Sequence, residues 1–291
     1  MNEKTIAGKQ PALHFLTEML SDAGILKRIN QDACCVRIMR IDSHTLVLAA
    51  VCDGVGGMED GDYASKSTIQ FLNNWFDYTV SREVRGKSQE EILTYLQEQM
   101  ERCIQKQNGL IFDYAKERGI RAGTTLTLLV IVNREYITAQ VGDSRAYCVN
   151  NGLHQLTEDQ SLIAQEIKAG RLSPKDAKHD RRRNIILQCV GASKRLQIVY
   201  QRGTVMENDV FFLCSDGFIH ELEDEEIGEF FRPESLTDRT SIKRSLKKAV
   251  ALVKERGEKD NITVVLIRVR EDVQEGGAVF YEECKNQETS V

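Results

Sequence analysis

The sequence predicts a layered α+β fold, two packed sheets covered by helices. Three observations carry this expectation. Several apolar runs, TLVLAAVC and TTLTLLVIV among them, are hydrophobic at consecutive positions, so strands built from them need cover on both faces. Two long segments of helical periodicity interrupt the strands, and a third amphipathic helix comes late in the chain. Strand runs elsewhere follow one another directly, without the strand–helix alternation of a βαβ sheet. With 291 residues and 41% hydrophobic content the chain can bury one large core, and a single domain is expected over residues 15–270.

In chain order, residues 1–14 are expected to form a flexible N-terminus. The opening MNEKTIAGKQPALHFLTEML scatters Glu and Lys and has no unbroken apolar core, which fits neither a signal peptide nor a transmembrane helix, so a cytoplasmic protein is expected. Thr45 to Cys52 reads as a strand. Tyr63 to Tyr78 carries Ala64, Ile69, Leu72, Trp75 and Phe76 at helical spacing, and Glu90 to Lys116 carries Ile92, Leu93, Leu96, Met100, Cys103 and Ile104 likewise. The polar stretch Ser81 to Ser88 joins them as a helical hairpin. Strands are predicted over Thr124 to Val132, Tyr136 to Val141, Arg145 to Val149, Asp209 to Cys214 and Ile262 to Val269. Between the last two, Ser241 to Arg256 places Ile242, Leu246, Ala249, Val250 and Val253 on one side of a helix, with Gly257 as its C-terminal stop. Residues 271–291 read as a flexible polar tail.

Composition excludes some functions. A formal charge of −5 argues against a polyanion such as nucleic acid as the main partner. Of the eight cysteines, Cys52, Cys148, Cys189 and Cys214 lie inside apolar runs, and no CxxC pair occurs, so buried thiols are expected in place of disulfides or zinc ligands. Cys34 and Cys35 are adjacent and would point to opposite faces of a strand. The histidines, His14, His44, His154, His179 and His220, lack metal-ligand spacing and read as structural or solvent-facing.

The chemistry lies with four aspartates. Asp53 in CDGVGG, Asp143 in VGDSRAY and Asp216 in CSDG each stand beside a small or glycine-rich turn at the end of an apolar run, and Asp260 in KDNITVVLI begins one. Carboxylates at strand ends suit magnesium or manganese, which take oxygen ligands in near-octahedral geometry and retain several waters. Taken singly, an Asp-Gly pair is also the ordinary signature of a turn.

The motifs SDAGILKRINQDA, VCDGVGGMEDGDYAS, AGTTLTLL, QVGDSRAY, LTEDQSLIAQEIKAG, NIILQCVG, FFLCSDG and KDNITVVLIRV run in that order from Ser21 to Val269. Together they resemble the metal-dependent protein phosphatases of type 2C, in their bacterial form. The resemblance implies an α+β four-layer α-β-β-α sandwich, with two antiparallel sheets flanked by helices. It also implies hydrolysis of phosphoserine and phosphothreonine by a water or hydroxide bridging two Mn2+ or Mg2+ ions, a third ion being added in bacterial members. On that reading Asp53, Asp216 and Asp260 are the catalytic carboxylates. Asp53 would bridge the ions, with the Gly54 carbonyl on the second, Asp216 and Asp260 on the first, and Asp143 with Asp216 on the third.

This chain departs from the family pattern at two places. Lys27, beside Arg28, stands where an arginine commonly binds the substrate phosphate, and lysine offers a point charge where arginine offers a fork. Gln31 replaces the usual Glu before Asp32, so this pair behind the metals carries one charge. The expected partners are phosphorylated proteins, including a bacterial serine/threonine kinase, with no nucleic acid, no membrane and a monomeric state. Residues 161–191 correspond to the family's flap, whose Lys178, His179, Arg181, Arg182 and Arg183 read either as a solvated charged loop or as a dock for acidic residues flanking the phosphosite. A phosphoprotein-binding pseudophosphatase and a small-molecule phosphoesterase are the alternative functions on the same residues.

Overall fold

The continuous apolar runs become strands covered on both sides. The computed structural model describes residues 11–177 and 180–271. One sheet holds β2 (Ala33–Ile41), β3 (His44–Cys52), β4 (Leu126–Val132), β5 (Glu135–Val141) and β8 (Val199–Thr204), side by side in the order β2-β3-β4-β5-β8. The other holds β1 (Leu13–Asp22), β10 (Ile262–Glu271), β9 (Val210–Cys214), β6 (Arg145–Val149) and β7 (Leu153–Gln155), in the order β1-β10-β9-β6-β7. Every pairing is antiparallel.

Strand β3 shows why the pattern is apolar throughout. Successive side chains of a strand point to opposite faces. Val47, Ala49 and Val51 face the second sheet, meeting Phe15, Leu129, Phe211 and Val265, whereas Leu46, Leu48, Ala50 and Cys52 face outward under helices. Those helices are α1 (Gly61–Asn74), its π-helical continuation Trp75–Val80, the single turn α2 (Ser81–Glu83) and the long α3 (Gln89–Arg118). On the opposite side, Phe212, Val264 and Leu266 lie under α6 (Asp216–Ile219), α7 (Asp224–Phe230) and α8 (Arg239–Glu255). Two small helices, α4 (Leu162–Lys168) and α5 (Pro174–Ala177), belong to the segment between β7 and β8. The result is the four-layer sandwich that the sequence predicts. Each fully buried aliphatic side chain contributes about 1.5–3 kcal/mol, so three separate apolar interfaces hold the layers in register.

Helix ends follow local chemistry. Ser88 caps α3 in a reciprocal box with Glu91, and Gly119 at φ +67° ends it. Asp238 caps α8, and Gly257 at φ +89° follows its last turn. The stretch Ser81 to Ser88, read as a linker, starts with helical residues because the π-helical turn carries the chain straight into α2.

Strands β1, β2, β7 and β8 are absent from the sequence reading. Residues Leu13 and His14, assigned to the N-terminal segment, open β1, and Glu271, assigned to the tail, closes β10 opposite Leu13. The reason is the core: Leu13, Phe15 and Thr17 alternate into it, a period-2 signal diluted by the polar residues between them. Residues 1–10, Lys178, His179 and 272–291, on which the remaining terminal and flap expectations fall, lie outside the described residues. Among the described residues, no helix is long and apolar enough to cross a membrane.

Candidate active site

The site gathers where the ends of β3, β5 and β9 meet the start of β10. Asp53 follows β3 directly. Its amide donates to Thr125 Oγ1 (2.9 Å), and its carbonyl accepts from the Thr125 amide (2.8 Å) and from Thr124 Oγ1 (2.8 Å). Thr125 Oγ1 is in turn 2.8 Å from Ser144 Oγ, which ties the Asp53 turn to the turn carrying Asp143. The next residue must be glycine. A Cβ on Gly54 would stand 2.7 Å from the carbonyl oxygens of Gln31 and Gly61, because the N-terminus of α1 and the Gln31 loop close directly over it.

Asp216 and Asp260 are brought together by a second close approach. Asp216 opens α6 just after β9, and a Cβ on Gly217 would stand 2.3 Å from the Asn261 carbonyl. A Cβ on Gly24 would stand 2.3 Å from the Asp260 carbonyl on the other flank. The Asp260–Asn261 segment is thus clamped between two side-chain-free positions. Asn261, which is buried, spends its side chain on the loop before β2: its Nδ2 donates to the carbonyls of Ala23 (3.0 Å) and Ile29 (3.3 Å), and its Oδ1 accepts from the Gln31 amide (2.9 Å). The Gln31 carbonyl then accepts from the Gly54 amide (3.1 Å) and from Ser65 Oγ. One side chain therefore connects the Asp260 turn to the Asp53 turn through Gln31, whose role in the structure is carried by its backbone.

Five carboxylates share one field here. Burial, followed by the charges of Asp32, Asp216, Asp143 and Asp260, pushes the Asp53 carboxyl well above the usual carboxylate range. Burial and the nearby Asp216 and Asp159 carry Asp143 up to about 8. Asp32 rises to about 7, its burial and the charges of Asp216 and Asp260 outweighing the hydroxyls of Thr263 and Ser215. Asp216 Oδ1 is buried without a hydrogen-bond partner, and the Asp32 oxygens lie beside the Thr263 and Ser215 hydroxyls without forming a well-aligned hydrogen bond to either. Crowded like charges of this kind are costly by themselves, and a hard cation relieves them. The donor set, all oxygen, fits magnesium or manganese. Among the described residues, no three His, Cys, Asp or Glu side chains converge on one point as a closed cage. Two of the carboxylates, Asp260 and Asp216, are drawn toward protein cations.

Those cations are Lys27 and His220. Lys27 Nζ is 3.1 Å from Asp260 Oδ1, so the expected phosphate-binding residue sits within the carboxylate cluster, while Arg28 is exposed on the same loop. His220 Nε2 is 3.5 Å from Asp216 Oδ2 and its Nδ1 is 3.4 Å from Glu258 Oε2. Burial pulls the His220 pKa down, but the Glu258 carboxylate 3.4 Å away and the Asp216 charge prevail and leave it raised. Glu258 in turn falls to about 2: against its burial stand His220 and the amides of Asp260 and Lys259. The sequence reading passed over this pair. The available signal was the spacing of four from Asp216 to His220, which puts both on one face of a helical turn.

The flap segment borders the site. Ser161 and Ile186 form a bridge, Thr124 and Val190 another, and Arg183 lies near enough to His220 to oppose its positive charge. Arg145 of the GDSRAY motif grips Asp159 of the LTEDQS motif at 2.7 Å, fixing the flap's base to β6. Arg182 pairs with Asp180 at 2.8 Å. The described cysteines are free thiols, and burial pushes them up, Cys189 to about 11 and Cys35 to about 12, so thiolate chemistry has no place in the site.

Two antiparallel sheets flanked by helices, with a cluster of buried and half-buried carboxylates at the strand ends, define a metal-assisted hydrolase. The Protein phosphatase 2C family profile matches residues 27–263. The serine/threonine phosphatase stp of Listeria welshimeri is 30% identical over 254 residues, covering 86% of this chain and 94% of its own. Protein phosphatase PhpP of Streptococcus pneumoniae is 29% identical over 258 residues, 87% of this chain and 97% of its own. The serine/threonine phosphatase structure from S. agalactiae superposes with a TM-score of 0.74 at 27% identity, covering 87% of this chain and 99% of that one. The chain belongs to the protein phosphatase 2C family, and it is a metal-dependent protein serine/threonine phosphatase. These relatives do not favour the pseudophosphatase or small-molecule alternatives.

Proposed function

We propose that Asp53, Asp216 and Asp260, with the Gly54 carbonyl, hold two manganese or magnesium ions, and that Asp143 with Asp216 serves a third. The observation that carries this assignment is the electrostatic convergence on Asp53 of four other aspartates, one of which, Asp216, has a buried oxygen without a hydrogen-bond partner. Two divalent ions, when bound, activate a water for in-line attack on phosphorus and neutralise charge on the phosphoryl oxygens. The chain's own residues position that chemistry. Thr125 and the Gln31 backbone lock the Asp53 turn, while Gly217 lets the Asp216 turn touch the Asp260–Asn261 segment and Gly24 lets the loop after β1 close on Asp260. Asp32 lies behind Asp216 and Asp260 as a buried charge that strengthens the cluster's pull on cations.

Lys27 and Arg28 supply positive charge for the substrate phosphate at the edge of the same cluster. With Asp260 holding a cation, Lys27 would be the group at this edge to face the phosphoryl oxygens. Substrates are phosphorylated proteins, including a serine/threonine kinase of the same bacterial cell, and the enzyme works in the cytoplasm as a monomer. Purified protein should hydrolyse a phosphothreonine peptide in Mn2+ and stop in EDTA. Asp53→Ala and Asp216→Ala should each abolish turnover while the circular dichroism spectrum is retained. Turnover that persists in either variant would overturn the ligand assignment.

A further inference from the structure

We infer that Glu258 and His220 form a brace between the Asp216 and Asp260 turns, setting the separation of these two carboxylates for a cation. The inference rests on the assignment of Asp216 and Asp260 as ligands of one ion.

The brace uses both oxygens of one carboxylate. Glu258 Oε1 accepts the backbone amides of Lys259 (2.6 Å) and Asp260 (2.9 Å), which fixes the turn just before β10. Glu258 Oε2, buried and without a hydrogen-bond partner, is in ion-pair range of His220 Nδ1 at 3.4 Å, and the far side of the ring, Nε2, is in the same range of Asp216 Oδ2 at 3.5 Å. The imidazole thus spans the gap between two turns that belong to different strands of one sheet. Asp216 is left divided: Oδ2 faces the histidine, and Oδ1 is buried with no protein partner. Carboxylates that ligate metals are commonly oriented by polar partners outside the site, and removing such partners changes affinity by about 10–100-fold.

A purely structural ion pair would look similar in the static coordinates. It would behave differently on mutation. A structural link would lower the melting temperature and leave cation affinity alone once the protein is folded. A brace would change affinity in protein that is folded equally well. Both groups are positioning residues, since neither is placed to touch substrate.

The test is Mn2+ binding, read by the electron paramagnetic resonance signal of free Mn2+ at fixed pH, well below the melting temperature measured in EDTA. His220→Leu and Glu258→Gln should each weaken binding at least about tenfold. His220→Gln, whose amide can still donate to Asp216, should recover part of the loss. If His220→Leu fails to fold, Glu258→Gln and His220→Gln decide the matter. Wild-type affinity in folded variants would overturn the brace and leave the ligand assignment standing. No Mn2+ binding by the wild-type protein would overturn both.

Discussion

Lys27 Nζ lies 3.1 Å from Asp260 Oδ1, in a pair whose side chains are each 35% exposed. A residue suited to substrate phosphate is therefore held by a carboxylate suited to a cation. A cation on Asp260 would compete with this pair. A half-exposed pair of this kind is worth at most about 1 kcal/mol, too little to keep a divalent ion away.

Replacing Lys27 separates the two roles. Lys27→Met should raise KM for a phosphopeptide several-fold and strengthen Mn2+ binding by no more than about fivefold, the equivalent of one exposed ion pair. Steady-state kinetics and calorimetric titration check both arms. Weaker Mn2+ binding in the variant would show that the ammonium supports the cation site.

The contact between Gly217 and the Asn261 carbonyl makes a stability prediction. Gly217→Ala places a methyl 2.3 Å from that backbone oxygen, so either α6 or the start of β10 must move. Urea unfolding in EDTA should show a loss of about 3 kcal/mol, at the upper end of ordinary overpacking. Mn2+ affinity should fall with it, because the same movement separates Asp216 from Asp260.

Asp32 makes a pH-dependent one. Its folded pKa is raised to about 7, above that of an unfolded aspartate, so the folded protein binds the extra proton. The stability linked to this proton is present below about pH 4 and is lost as pH rises through about 7. In EDTA, Asp32→Asn should stabilise the protein at pH 8 by about 2 kcal/mol and change little at pH 4, since it removes a charge whose burial outweighs the help of the nearby hydroxyls. Thermal melts at the two pH values read this directly. The same substitution should weaken Mn2+ binding at pH 8.

The flap arginines are not equivalent. Arg182 is engaged by Asp180, whereas Arg183 reaches the electrostatic surroundings of His220. Changing Arg181, Arg182 and Arg183 together to Ala should raise KM for acidic phosphopeptides and hardly affect p-nitrophenyl phosphate, and Arg183→Ala alone should account for most of the effect. Equal effects on both substrates would sink docking by this segment.

Much of the fold was legible because both faces of the central strands are buried. TLVLAAVC contributes Val47, Ala49 and Val51 to one core and Leu46, Leu48 and Ala50 to another, and no half-exposed strand could carry that composition. Strands β1 and β8 were not legible for the converse reason. They lie at sheet edges, where alternate residues face solvent and the apolar signal thins, as in VYQRGT. In the site, Asp53, Asp143, Asp216 and Asp260 stood out through the turns beside them, and the structure places them in one field. His220 and Glu258 stood out through nothing comparable, because a histidine without a second ligand at metal spacing reads as an ordinary core or surface group.

The sequence by itself determined which residue types could do the chemistry: carboxylates at strand ends, glycines beside them, and a loop with Lys27 and Arg28. Only the tertiary structure decided how they are held. Asp260 lies more than two hundred residues from Lys27 and from Gly24, and their contact exists because β1 and β10 pair along their whole length. The physical reason is that a motif is local, whereas the field acting on a carboxylate is set by whatever packing brings within a few ångströms of it.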